Sequence, residues 1–120
     1  MPYFFDSYAI IEIIRGNPHY DSYIKEEIIT ANLNLAEVFF SLIREHNIEM
    51  AEKWAEILKQ YCFDVDTDTV IEAMKFKFNN RKKNFSYIDC IGYAMARKHG
   101  LKFLTSDKEF KGFDNVEFVK

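Results

Sequence analysis

Proline, glycine and cysteine are scarce in this chain, with two, four and two among 120 residues. So few turn formers argue against a linker or a turn-dense β protein. Two cysteines make no disulfide framework, and Cys62 and Cys90 lack the short spacing of metal ligands. Both sit among apolar residues and read as core thiols. Together with the missing basic leader in "MPYFFDSYAI", this gives a cytoplasmic expectation. No apolar run reaches the ~20 residues of a membrane span, so no membrane partner is expected. A strong charge of one sign is also missing, since the net charge is −3. A nucleic-acid-binding domain is more often basic overall. Internal repeats and low-complexity segments are absent.

The rest is globular in character. Hydrophobic residues make 48% and charged residues 29% of the chain, enough for a single domain over 1–120 with a real core. "PYFF" reads as a buried strand and "DSYAIIEIIRGNP" as a helix capped by Asp6 or Ser7. "HYDSYIKEE" suggests a short helix and "IITA" a strand. "NLNLAEVFFSLIREHN" is a largely buried helix capped by Asn32 or Asn34. "IEMAEKWAEILKQY" is amphipathic, with Ile48, Ala51, Trp54, Ala55 and Leu58 on one face. A "CFDVD" strand, a helix capped by Thr67, the helix "SYIDCIGYAMARKHG", and strands at "LKFLT" and "NVEFV" complete the pattern. Strands alternating with helices, without a hairpin signal, predict an α/β fold. The expected form is a three-layer α/β/α sandwich around a mainly parallel sheet of about five strands.

Sites in such sheets form at the carboxyl ends of the strands. Asp6 directly follows one predicted strand and Asp107 another. Both are also able to cap the next helix. Asp89 lies three residues after Ser86, the spacing of a capping-box acid. Glu37 is harder to explain by capping. It is the only charged residue from Asn32 to Leu42, and a lone glutamate on a buried helix is costly unless it is paired or binds a cation.

In order and spacing these acids resemble those of the PIN domain family, most closely its VapC-type toxin ribonucleases. The matching motifs are "YFFDSYAII" with Asp6, "NLAEVFF" with Glu37, "SYIDCIGYAMARKHG" with Asp89 and "LTSDKEF" with Asp107. The start "MPYFF" is more aromatic than the usual aliphatic strand. The resemblance implies a metal-dependent endoribonuclease with these four acids as catalytic residues. It further implies a homodimer, and a small antitoxin partner that holds the enzyme inactive. Crowded carboxylates repel one another, by about 4 kcal/mol for two charges ~4 Å apart at an effective dielectric near 20. Mg²⁺ or Mn²⁺, with hard oxygen ligands, removes that conflict. Asp6 and Asp89 are expected as the main ligands, with Glu37 and Asp107 completing the site. Ser7, Ser86, Thr105 and Ser106 are expected to orient the acids or reach a phosphate, or else to cap helices.

Between Lys75 and Asn84 the chain carries five cations and no acid. Arg81, Lys82 and Lys83 at its end are candidate RNA contacts, the other reading being a solvated helix end. Alternatives of other kinds remain open at this stage. They are an RNA-processing PIN nuclease without an antitoxin, a non-catalytic binding or dimerisation module, and a metal-independent ribonuclease built on His19, His46 and His99. The histidines show no sign of convergence in the sequence. A receiver-type phosphoacceptor lacks its paired early acids here.

Overall fold

Two adjacent phenylalanines near the N-terminus serve two different cores. In a computed structural model, which describes residues 2–120, Phe4 and Phe5 lie on strand β1 (Tyr3–Phe5) and are both fully buried. A strand sends successive side chains to opposite faces. Phe4 therefore joins the cluster of Cys90, Tyr93, Ala96 and Phe110, while Phe5 joins that of Ala9, Val38, Leu42 and Leu58. Strand β4 (Lys102–Thr105) repeats the alternation, with Phe103 in the first cluster and Leu104 in the second.

One face of the sheet carries α1 (Ser7–Ile14), α2 (Asn32–Glu45) and α3 (Ile48–Leu58). The other carries α4 (Thr67–Asn79) and α5 (Tyr87–Lys98). The layered α/β/α arrangement is therefore present. All strand pairs are parallel, as crossover helices require.

The sheet itself is divided. Strands β1, β4 and β5 (Val116–Phe118) form a three-stranded sheet in the order β1-β4-β5. Strands β2 (Thr30–Ala31) and β3 (Cys62–Phe63) pair separately. Among the described residues five strands are present, but not in one ladder. Beside β1, the Phe5 amide donates to the Ile29 carbonyl at 2.7 Å, and the Thr30 hydroxyl donates to the Phe5 carbonyl at 2.8 Å. A side chain takes the place of the next backbone bond, so the ladder stops there.

Other differences are local. "HYDSYIKEE" forms a 3-10 turn at Pro18–Tyr20 followed by irregular turns, because the buried Tyr20 ring anchors it inward. Helix α4 is capped by Asp66, which accepts from the Thr69 amide at 3.3 Å, and Thr67 is its first residue. Helix α2 has Ala31 at its N-cap with no side-chain bond, so neither Asn32 nor Asn34 caps it. In α3, Ala51 and Leu58 are buried, but Ile48 at the first turn is 57% exposed. Cys90 is a buried core thiol and Cys62 only half-buried.

Helix α5 presses hard on the sheet. A Cβ at Gly92 would stand 3.2 Å from ring atoms of both Phe4 and Phe103. Only a glycine lets the helix backbone approach this closely. The helix ends at Gly100, whose φ of +66° is the left-handed conformation of a C-terminal stop.

Candidate active site

Asp6 occupies the N-cap position of α1 but makes no capping bond. Its amide donates to the Leu104 carbonyl at 3.0 Å, which fixes the end of β1 against β4. Its Oδ2 instead accepts from the Thr105 hydroxyl at 2.8 Å. The same hydroxyl oxygen accepts from the Asp107 amide at 3.0 Å. Thr105 thus ties together the chain ends that carry two of the acids. Asp6 is 2% exposed, and its Oδ1 is buried with no partner.

Asp89 takes the role that the capping-box spacing predicts. Its Oδ2 accepts from the Ser86 amide at 2.8 Å, and the Ser86 hydroxyl accepts from the Asp89 amide at 3.0 Å. Asp107 caps the 3-10 turn Lys108–Phe110 through the Glu109 amide at 3.0 Å. Both acids cap and yet face the pocket, because each cap occupies a single carboxylate oxygen. Glu37 is half-buried on α2 and forms no ion pair among the described residues.

These four acids, drawn from opposite ends of the chain, line one pocket of about 300 Å³. Ser7 lines it too, but its hydroxyl faces Asn34, accepting from Asn34 Nδ2 at 2.9 Å and lying 3.3 Å from the Asn34 carbonyl. Ser86 serves the α5 cap, and Ser106 is hydrogen-bonded to the Tyr20 hydroxyl. No histidine lines the pocket. Arg81, Lys82 and Lys83 do not line it either. Arg81 lies 4.4 Å over the Phe78 ring, and Lys83 5.7 Å from the Phe113 ring. From that basic run Lys77 donates to the Phe85 carbonyl at 2.6 Å, and burial raises Asp89 with the Lys77 charge as the last of the opposing influences.

The sequence reading missed several lining or supporting groups. Asn34 is fully buried between α2 and α1. Ser41 and Arg44 follow Glu37 by four and seven positions, one helical face, and line the pocket with it. That spacing was available in the sequence and points to one wall. Arg15, on the facing helix, is already paired with Glu12 at 3.0 Å and with Glu45.

Electrostatics reflect the crowding. Burial, then the nearby Asp89 charge, push the Asp6 carboxyl up to about 8 against the opposing Thr105 hydrogen bond. Burial raises Glu37 as well, and the Ser7 hydroxyl and Asp89 then act in opposite directions. Asp89 is raised by burial, with the Ser86 amide opposing. Among the described residues no three His, Cys, Asp or Glu side chains stand close enough to form a ready-made cage. The donor chemistry still fits a hard divalent cation. All the acids offer oxygen, and the buried Asp6 Oδ1, which has no partner among the protein's own groups, is open to a cation. A larger groove of about 690 Å³ lies between α4 and α5. Its charges are largely spent in pairs, Lys98 with Asp66 at 2.8 Å and Lys75 with Glu72 at 3.1 Å.

Against this geometry, the family model described as "PIN domain" matches residues 3–116. Among curated proteins none matches the sequence. Solved structures match over the whole fold. VapC20 of Mycobacterium tuberculosis, a sarcin-ricin loop cleaving toxin, is 18% identical, with a TM-score of 0.78 over 98% of this chain and 99% of that one. A toxin-antitoxin complex from Klebsiella pneumoniae is 17% identical, with a TM-score of 0.77 over 96% and 95%. FitAcB of Neisseria gonorrhoeae is 18% identical, with a TM-score of 0.72 over 97% and 96%.

Proposed function

Since the chain belongs to the PIN domain family, we propose that its four-acid pocket is the active site of a metal-dependent endoribonuclease, the toxin of a toxin–antitoxin pair. The observation that carries this reading is the meeting of Asp6, Glu37, Asp89 and Asp107 in one pocket, with one Asp6 oxygen buried and unpartnered. Asp6 through Oδ1 and Asp89 through its free oxygen would hold Mg²⁺ or Mn²⁺, with Glu37 and Asp107 completing the set. When bound, such an ion polarises a phosphoryl oxygen and lowers the pKa of a water to make a nucleophile.

The chain's own residues do the rest. Thr105 fixes which Asp6 oxygen faces the pocket. The Ser86 amide holds Asp89 in one rotamer at the positive end of α5. Arg44, on the same wall as Glu37, offers a cation to a phosphate approaching a pocket whose other cation, Arg15, is already paired with Glu12 and Glu45.

Partners are proposed on the same footing. The Klebsiella relative is a toxin-antitoxin complex, and a small antitoxin is proposed here. A homodimer is proposed too, with exposed side chains such as Phe40 and Tyr87 available for contacts. No helix among the described residues is long and apolar enough to cross a membrane.

The test is cleavage of end-labelled RNA by the purified chain with Mg²⁺, Mn²⁺ or EDTA. Cleavage is expected with metal and not with EDTA, and Asp6→Asn should abolish it. Activity that survives chelation would overturn the metal reading.

A further inference from the structure

A second groove of about 480 Å³ adjoins the acid pocket. Its volume is within the ~300–1,000 Å³ of ordinary ligand clefts. Tyr8, 46% exposed on the first turn of α1, lines both spaces. The groove's wall continues directly from the site, because Ser106 and Lys108 flank Asp107 in the chain.

The charge changes sign across that boundary. Lys108 and Lys111 bracket the 3-10 turn and are exposed. Neither ammonium group has an ion-pair partner among the described residues. Lys111 lies 5.4 Å from the Phe118 ring, another wall of the groove. The turn is held in place by Phe110, fully buried against Phe85 and Phe103. Glu109 is drawn away, accepting from the Asn84 amide at 3.0 Å. The groove's acid, Glu12, is already bonded to Arg15 at 3.0 Å and to Asn17 at 2.9 Å. Two free cations on a rigid turn, next to an exposed ring, therefore face a space that opens into the acid pocket.

We propose that this groove holds the single-stranded RNA next to the cleaved bond, with a base stacked on Tyr8 and phosphates on Lys108 and Lys111. The proposal rests on the nuclease reading above. An exposed aromatic stacks any base, and lysines act on phosphates as point charges, so the groove favours strandedness over sequence. It moves the principal RNA contacts from Arg81, Lys82 and Lys83, which do not line the pocket, to the other side of Asp107.

The test is binding of a fluorescein-labelled, mixed-sequence single-stranded RNA of about 12 nucleotides, read by anisotropy in EDTA across a salt series. In the double variant Lys108→Ala/Lys111→Ala, the slope of log affinity on log salt should fall by about 1.4, or about 0.7 for each lost phosphate contact. Tyr8→Ala should weaken binding roughly tenfold at an unchanged slope, and Tyr8→Phe should restore it. An unchanged slope in the lysine variant, with the loss appearing instead in an Arg81/Lys82/Lys83 alanine variant, overturns the proposal. So does a lysine variant that changes only the oligomeric state on gel filtration, which would make the groove a protein contact. Wild-type protein that cleaves RNA normally alongside either result shows that the groove has failed and not the nuclease reading. Protein that binds RNA through the two lysines but fails to cleave it with either Mg²⁺ or Mn²⁺ keeps the groove and removes the nuclease reading.

Discussion

The Thr105 hydroxyl donates to Asp6 Oδ2 at 2.8 Å, although the two residues lie 99 positions apart. It also accepts from the Asp107 amide, so one side chain supports both strand ends. Thr105→Val keeps the shape and removes the hydroxyl. It should cost about 1–3 kcal/mol in urea unfolding, because a buried carboxyl oxygen loses its donor. Divalent-metal affinity, measured by calorimetric titration, should fall as well, and Thr105→Ser should recover both. Unchanged metal affinity in the valine variant would show that Thr105 does not position Asp6.

The Asp6 carboxyl gives the metal-free protein a pH signature. It titrates near 8 in the folded chain against 3.8 in the ordinary side chain. Below pH ~4 both folded and unfolded chains hold the proton. Between about 4 and 8 only the folded chain does, so stability falls as pH rises and the loss is complete above about 8. Thermal unfolding in EDTA should therefore show a lower Tm at pH 8 than at pH 5. Asp6→Asn should flatten that difference. Mg²⁺ or Mn²⁺ should stabilise the wild type more at pH 8 than at pH 5, because the proton no longer competes. An identical pH slope in wild type and Asp6→Asn would refute the assignment to Asp6.

Asp89 carries two roles that substitution can separate. Asparagine still accepts from the Ser86 amide, while alanine does not. Asp89→Asn should abolish cleavage and leave the metal-free fold as stable as wild type or more so, since one repelling charge is gone. Asp89→Ala should abolish cleavage and also cost ~0.5–2 kcal/mol through the lost cap. If both variants destabilise the protein equally, the capping bond is not what Asp89 contributes to the fold.

Gly92→Ala tests the closeness of α5 to the sheet. The added methyl would lie 3.2 Å from rings that are themselves fully buried, so both rings must give by a few tenths of an ångström. Although alanine is the better helix former, the change should cost about 1–3 kcal/mol by chemical denaturation. A stabilised variant would mean that the Phe4 and Phe103 rings have room to shift.

The fold was legible where one residue's neighbours decide its environment. The apolar strand before Asp6, the small residues of α5 and the lone Glu37 each follow from local pattern. The division of the sheet was not legible, because it turns on a Thr30 hydroxyl meeting a Phe5 carbonyl across 25 positions. The α4 cap was misplaced by one residue because Asp66 and Thr67 are both good caps, and the fold selects Asp66, whose carboxylate also meets Lys98. Asn34 looked like a helix start, but β2 carries the chain in so that α2 begins two residues earlier. The convergence of four acids in one pocket was expected from their order, and the Asp89 cap from its spacing to Ser86. The wall that Ser41 and Arg44 share with Glu37 was readable from spacing but overlooked, whereas the turn of the Ser7 hydroxyl toward Asn34 across 27 positions was not readable.

The pairing of β1 with β4 also sets a timetable. Asp6 is made 99 positions before its hydrogen-bond donor Thr105, and the Asp107 wall follows that. A growing chain folds from its N-terminal side as it is made, but here β1 must wait, its edge unpaired, until β4 has been synthesised. The pocket is therefore complete only once both Thr105 and Asp107 have been made and β4 has docked beside β1.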